Sequence, residues 1–184
     1  MKVVVAGMGF AGLKIARRLN NKPGFEIVLI DKYNYHQFQP LLYQVATASL
    51  DASNISFPLR KMFHGSKNVS IRLANIQSIH TTAKTLTTDI GDFNYDILIL
   101  ATGADTNFFG NDHLQEHAFP MKSTTEALQL RHRLIHNFEE AMQVKDAETL
   151  KQLMTVVVVG AGPTGVELSG AISEMKKYVL PKDY

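Results

Sequence analysis

There is no cysteine anywhere in the 184 residues. Structural disulfides, cysteine-ligated zinc and iron–sulfur clusters are therefore excluded within them. Long apolar runs are lacking too. No stretch approaches the roughly 18 consecutive apolar residues that a membrane-crossing helix needs. Nor is there a strong excess of charge. The net charge of +2 and the pI near 8.8 come from scattered basic residues with no RNA- or DNA-binding motif among them, so no nucleic-acid partner is expected. The N-terminal apolar run from Val3 to Leu13 carries glycines at ordered spacing and no cleavage site follows it, so it does not read as a secretory leader. The seven histidines show no metal-ligand spacing; His132 and His136 stand at i and i+4 of a helix without a third ligand, so no metal is expected.

What is present is a near-repeat. Val3-Val4-Val5-Ala6-Gly7-Met8-Gly9-Phe10-Ala11-Gly12 and Val156-Val157-Val158-Val159-Gly160-Ala161-Gly162-Pro163-Thr164-Gly165 each read as an apolar strand, a G-x-G-x-x-G turn and the start of a helix. A continuous valine-rich strand suits a parallel sheet covered on both faces. In such a turn the first glycine permits the tight bend and the second lets backbone approach a pyrophosphate. The third allows helix and strand to pack closely, and the helix N-terminus offers free amides. Pro163 falls where a first helical residue needs no N–H donor.

A lone G-x-G-x-x-G is a weak signal, since glycine-rich turns without function are common. Context strengthens the first copy. Leu13, Ile15, Ala16 and Leu19 give a helical face, and residues 25–30 read as a second strand that closes a βαβ unit at Asp31. Asp31 stands about 20 residues past the motif, where a carboxylate accepts hydrogen bonds from an adenosine ribose and repels a 2′-phosphate. Residues 95–100 form another apolar run, ending in Ala101-Thr102-Gly103, whose small residues allow a ligand to approach the strand end. Residues 69–73, 76–79 and 85–88 alternate like short strands and are expected to form a meander. Ser123 and Glu126 make a capping box for a helix with Ala127, Leu130, Leu134, Phe138 and Ala141 as its buried stripe. The fold class expected is α/β: a Rossmann-like parallel sheet with a small β-meander, plus the start of a second dinucleotide-binding unit.

With these motifs in place the chain resembles the two-dinucleotide flavoprotein reductases, and more narrowly the type II NADH dehydrogenases, which are single-subunit NADH:quinone oxidoreductases. Three segments carry the narrower likeness: Tyr35-His36-Gln37-Phe38-Gln39-Pro40-Leu41-Leu42-Tyr43-Gln44-Val45-Ala46, then Leu128-Gln129-Leu130-Arg131, then the second motif continued through Val166-Glu167-Leu168. The resemblance implies FAD held by Gly7, Met8, Gly9, Phe10, Ala11, Gly12, Asp31, Lys32, Ile76, Ala101, Thr102 and Gly103. It implies NADH on Gly160, Gly162, Pro163, Thr164 and Gly165, with Glu167 at the nicotinamide–flavin junction as the catalytic candidate. The structural alternative for Glu167 is a first-turn glutamate favoured by the helix dipole. His36 is expected to approach the flavin or quinone side.

Disulfide reductases of this architecture need a thiol pair beside the flavin, shortly after the second strand. Residues 31–51 offer none, so the flavin would reduce its acceptor directly, and sulfide:quinone reductases, which use cysteines, are disfavoured. The expected division is residues 1–110 for FAD, 111–153 as a linking segment with a helix, and 154–184 as the start of the NADH domain. Because a complete NADH unit needs a further strand with an acidic end, the chain is expected to be an N-terminal fragment, inactive alone and prone to pair through its C-terminal unit. The full protein is expected to be cytoplasmic, peripheral on the cytoplasmic face of the inner membrane, reaching membrane and quinone through its later segments. A homodimer is among the expected states. An NADH-dependent ferredoxin or rubredoxin reductase and a nucleotide-binding module without turnover remain as alternatives.

Overall fold

Apolar runs that bury both faces are the raw material of a parallel sheet, and four of them assemble here. In the computed structural model, which describes residues 1–183, β1 (Lys2–Ala6), α1 (Phe10–Leu19) and β2 (Glu26–Asp31) make the first βαβ unit. The chain continues through β3 (Tyr35–Gln37), α2 (Leu42–Ala46), β4 (Ser56–Pro58), α3 (Leu59–Met62) and β5 (Val69–Leu73). Three short strands follow, β6 (Ile76–His80), β7 (Thr85–Thr88) and β8 (Gly91–Asn94), and then β9 (Ile97–Leu100). The rest is helical: α4 (Asp112–His117), α5 (Thr124–Ala141), α6 (Ala147–Met154), α7 (Pro163–Glu174), a π-helical stretch Met175–Val179, and α8 (Leu180–Asp183). The segments Met1–Gln37 and Ser56–Asp105 form one compact unit; Phe38–Ile55 and Thr106–Tyr184 form another, although Tyr184 itself lies outside the described residues.

In the first unit the parallel sheet runs in the order β5-β2-β1-β9, with Val4 level with Val28 on one side and with Leu98 on the other. Alternate side chains feed two cores. Val3, Val5, Ile27 and Leu29 pack with Leu13 and Ala16 of α1 and with Leu59. Val4, Val28 and Ile30 face the opposite way and meet Ala74 and Leu86, so β7 of the meander covers that face. Each fully buried aliphatic of this kind contributes about 1.5–3 kcal/mol.

Two strand assignments differ from the sequence reading. Residues 69–73 join the parallel sheet beside β2 rather than the meander, pairing Leu29 with Ile71. The meander's third strand is β8, where Gly91 pairs with Thr88 and Asn94 with Thr85. Alternation signals a half-buried strand but carries no record of its partner, and glycine, aspartate and asparagine in β8 have weak strand preference of their own.

In the second unit α2 packs on α5 and α7, with Leu42, Val45, Ala46, Ile55 and Ala127 buried together. The capping box forms as expected: Ser123 Oγ accepts from the Glu126 amide, and Glu126 accepts from the Ser123 amide. Ala127, Leu134 and Phe138 are the buried stripe, with Leu130 and Ala141 only half covered. The strand expected at residues 156–159 is not formed: among the described residues it joins no ladder. Valines favour a strand only when neighbouring strands supply hydrogen bonds and cover. No described helix is long and apolar enough to cross a membrane.

Candidate functional site

Strands that run parallel end at one edge, so the turns after them gather there. The Gly7 amide donates to the Ile30 carbonyl (2.7 Å), the Ala101 amide to Ala6 (2.7 Å) and the Ala74 amide to Asp31 (3.0 Å). Because β1 continues to β2 on one side and has β9 on the other, the chain reverses direction across the sheet between β1 and β9, which is where ligands of open α/β sheets lie. Asp31 ends β2 at this edge, and Gly7, Lys32, Ile76 and residues 101–103 come shortly after the ends of β1, β2, β5 and β9.

The three glycines of the first turn have distinct physical duties. Gly7 has φ +96°, and a Cβ there would overlap the Ala101 carbonyl and come within 2.9 Å of the Thr102 Cα. A Cβ on Gly12 would overlap the Gly7 carbonyl, so helix and turn touch backbone to backbone. Gly9 differs: a Cβ would meet nothing within 4 Å, and Gly9, Phe10 and Ala11 are exposed. Gly9 also caps α1 without any side-chain hydrogen bond. The first-turn amides of a helix have no intrahelical acceptor, and the positive end of the helix lies there. Open space, accessible backbone and an uncapped helix start coincide at Gly9, as a bound pyrophosphate requires.

The carboxylate of Asp31 is tied to the same turn. Its Oδ2 accepts from the Met8 amide (2.6 Å) and its Oδ1 from the Tyr33 amide (2.9 Å). A carboxylate has about four acceptor positions, so these bonds leave capacity for hydroxyls. Lys32 is exposed with its ammonium 5.2 Å from the Tyr33 ring, Ile76 is half-buried at the start of β6, and Gly103 has φ +74° in the turn after β9. His36, from β3, is buried, and its Nδ1 lies 2.9 Å from the Met8 carbonyl oxygen. No spacing rule in the sequence joins His36 to Met8.

The second turn repeats the local geometry. Gly160 has φ +107°, a Cβ on Gly165 would overlap the Gly160 carbonyl, Gly162 is open, and Pro163 begins α7 as its chemistry suggests. The flanks differ. A Cβ on Gly160 would meet nothing within 4 Å, whereas Gly7 abuts Ala101. Val157 and Val159 are 79% and 70% exposed, against 0% for Val4 and Ala6 at the same places in the first copy. Val156 and Val158 border an open hollow with Ser169, Ile172 and Lys176. Glu167 is exposed on α7, beyond a first turn that contains no acidic residue, so the helix-dipole explanation of this glutamate falls away. Among the described residues no metal-binding group of histidines and carboxylates gathers. His113 and His117 form a second i, i+4 pair, with ring centroids 4.4 Å apart, also without a third ligand.

Residues 1–180 match the sequence profile of the family described as pyridine nucleotide-disulphide oxidoreductase. The chain is similar to the type II NADH:quinone oxidoreductase Ndh of Mycobacterium tuberculosis, with 40% identity over 97% of this chain and 39% of that protein. It is also 34% identical, over 100% of this chain and 33% of the relative, to the external alternative NAD(P)H-ubiquinone oxidoreductase B4, mitochondrial, of Arabidopsis thaliana. The chain thus spans well under half the length of the curated relatives it matches. Among solved structures, NDH2 of Plasmodium falciparum in complex with NADH superposes with a TM-score of 0.90 over 100% of this chain and 38% of that one. At 24% identity that likeness shows the fold alone.

Proposed function

Since the chain belongs to the pyridine nucleotide-disulphide oxidoreductase family, we propose that its first turn holds FAD and its second is the phosphate-binding start of an NADH site in an NADH:quinone oxidoreductase. The observation that carries this reading is the convergence of Gly7, Gly12, Asp31 and residues 101–103 on the open backbone at Gly9. In it, residues 7–12 and the start of α1 take the pyrophosphate, and Asp31 accepts from the adenosine ribose with the lone pairs that Met8 and Tyr33 leave. Lys32, Ile76 and Ala101, Thr102 and Gly103 complete the walls. On the second turn Gly160, Gly162, Pro163, Thr164 and Gly165 take the pyrophosphate of NADH. Bound FAD would supply acceptance of a hydride and delivery of electrons to a quinone.

Glu167 is the catalytic residue in this reading: an exposed carboxylate on α7, two residues past Gly165, that would orient a nicotinamide carboxamide or hold a proton. With no cysteine in the chain, a thiol relay has no local residues to use, despite the disulphide chemistry in the family's description. Residues 1–110 then serve FAD, 111–153 link, and 154–184 begin the NADH domain. In this reading the whole protein is peripheral at the cytoplasmic face of a membrane, with a homodimer as one of its states, and the 184-residue chain alone pairs through its exposed Val157 and Val159.

The absence of a ladder at residues 156–159 favours a second reading for this chain taken alone, a nucleotide-binding module without turnover. Purified protein separates the two. A flavin spectrum with reduction of a short-chain quinone by the full-length enzyme supports the oxidoreductase. Reduction of rubredoxin or ferredoxin in preference to quinone would overturn the acceptor. A colourless protein that binds no added FAD would overturn the flavin.

A further inference from the structure

Met8 carries the buried side chain of the first turn, packed with Val3, Val5 and Leu13. Both of its peptide groups are also held from outside. Asp31 Oδ2 accepts from its amide at 2.6 Å, and His36 Nδ1 sits 2.9 Å from its carbonyl oxygen. A carbonyl oxygen only accepts, so Nδ1 carries the proton and donates it. His36 is 5% exposed, with the Phe10 ring edge-on at 5.3 Å and the Phe57 ring stacked at 6.5 Å. It stands on the β3–β4 ladder, outside the parallel sheet, so the turn's own fold does not demand it. In the second turn the equivalent residue, Ala161, is exposed.

We propose that His36 is a positioning residue for the phosphate turn, fixing the Met8–Gly9 peptide plane before a dinucleotide arrives. The inference rests on the flavin reading of the first turn. A trans peptide is planar, so holding the Met8 carbonyl also fixes the Gly9 amide, which points the opposite way. Gly9 needs that help, because glycine has the widest backbone freedom of any residue. Asp31 holds the Gly7–Met8 plane through the Met8 amide, and the bond from His36 to the Met8 carbonyl holds the next plane, Met8–Gly9.

Two variants divide the roles of the imidazole. His36→Phe keeps the ring between Phe10 and Phe57 and removes the donor; His36→Asn keeps a donor at the Nδ1 position and removes the ring. FAD is titrated by flavin fluorescence into the 184-residue chain and both variants, with melting temperatures recorded for each. The expected result is about tenfold weaker FAD binding for H36F, the effect of one lost hydrogen bond, with H36N close to the parent. Affinity preserved in H36F and lost in H36N would overturn the proposal in favour of ring packing, and equal affinity in all three would overturn it outright. Carbon-13 NMR of the Met8 carbonyl gives a ligand-free readout, expected to shift in H36F and to stay in H36N. An unmoved signal in H36F overturns the clamp whatever FAD does. If no protein binds FAD, the flavin reading fails, while the carbonyl shift still decides whether His36 holds the peptide.

Discussion

The two glycine turns of this chain are nearly the same locally and very unlike in their surroundings. Gly7 and Gly160 both take positive φ, Gly12 and Gly165 both press on the first glycine's carbonyl, and Gly9 and Gly162 both face open space. Yet Val4 is sealed between β2, β9 and the meander, while Val157 stands 79% exposed. The turn is a property of a short sequence, because backbone contact between first and third glycines needs nothing from elsewhere. The strand is a property of its neighbours, because its hydrogen bonds and apolar cover come from residues far along the chain. The local turn geometry is therefore the same beside a described sheet, as at Gly7, and without one, as at Gly160.

Paired substitutions probe that contrast, and the largest difference is expected at the strands. Val4→Asp buries an unpaired charge between two strands and should cost the first unit about 4 kcal/mol or more. Val157→Asp should change stability by less than about 0.5 kcal/mol and reduce self-association, since it replaces exposed apolar surface. Denaturation with hydrogen exchange followed separately around residues 1–30 and 155–175 measures both. Comparable losses at the two sites would mean that residues 156–159 are covered in solution.

The next largest difference is expected at the first glycines. Gly7→Ala meets both positive φ and the Ala101 backbone, which should cost about 2–4 kcal/mol. Gly160→Ala meets the φ strain alone, at about 1–2 kcal/mol. The same exchange measurement reads them. Equal costs would imply that an unseen neighbour abuts Gly160 as Ala101 abuts Gly7.

Much of the fold was legible in the sequence. The first βαβ unit, Asp31 at the end of its second strand, the 101–103 turn and the Ser123–Glu126 capping box all follow from local pattern, and they fold where the pattern places them. What eluded the pattern was non-local. The partner of residues 69–73 is β2, β8 is recruited by pairing with β7, and residues 156–159 look like residues 3–6 but lack strands beside them. The His36–Met8 bond joins β3 to the first turn through tertiary packing and leaves no periodicity to read.

Smaller effects sharpen the comparison further. Ser123→Ala should cost about 1 kcal/mol and be confined to the second unit, whose buried contacts come from helices. Thermal melts with exchange at residues 120–140 check it, and a loss shared by the first unit would break the division. Glu167→Gln, in the full-length enzyme, should slow flavin reduction by NADH in stopped flow and leave flavin content unchanged. The first copy has Lys14 at that place, so Lys14→Gln is its control. An unaffected rate and NADH affinity in E167Q would remove Glu167 from the chemistry.

Acid should act on both units alike. The Asn75 side chain and amide hold the Asp89 carboxyl of the first unit below the ordinary value of 3.8, and Thr149 does the same for Asp146 in the second. A lowered folded pKa gives stability that is fully present above the unfolded value and lost as pH falls through the folded one. Both units should therefore weaken modestly below about pH 4. Acid weakening confined to one unit would show that the lowered carboxylates of that unit alone contribute, Asp89 in the first or Asp51 and Asp146 in the second.

The most direct test of the first turn as the flavin site is FAD titration of the chain beside Gly9→Val and Gly162→Val. Each valine fills the open position where a pyrophosphate must approach backbone, and a Cβ at either position meets no non-adjacent atom within 4 Å. Abolished FAD binding in G9V, with G162V binding as the parent does, is the expected result. Equal binding by all three proteins, at matched folding, would contradict it.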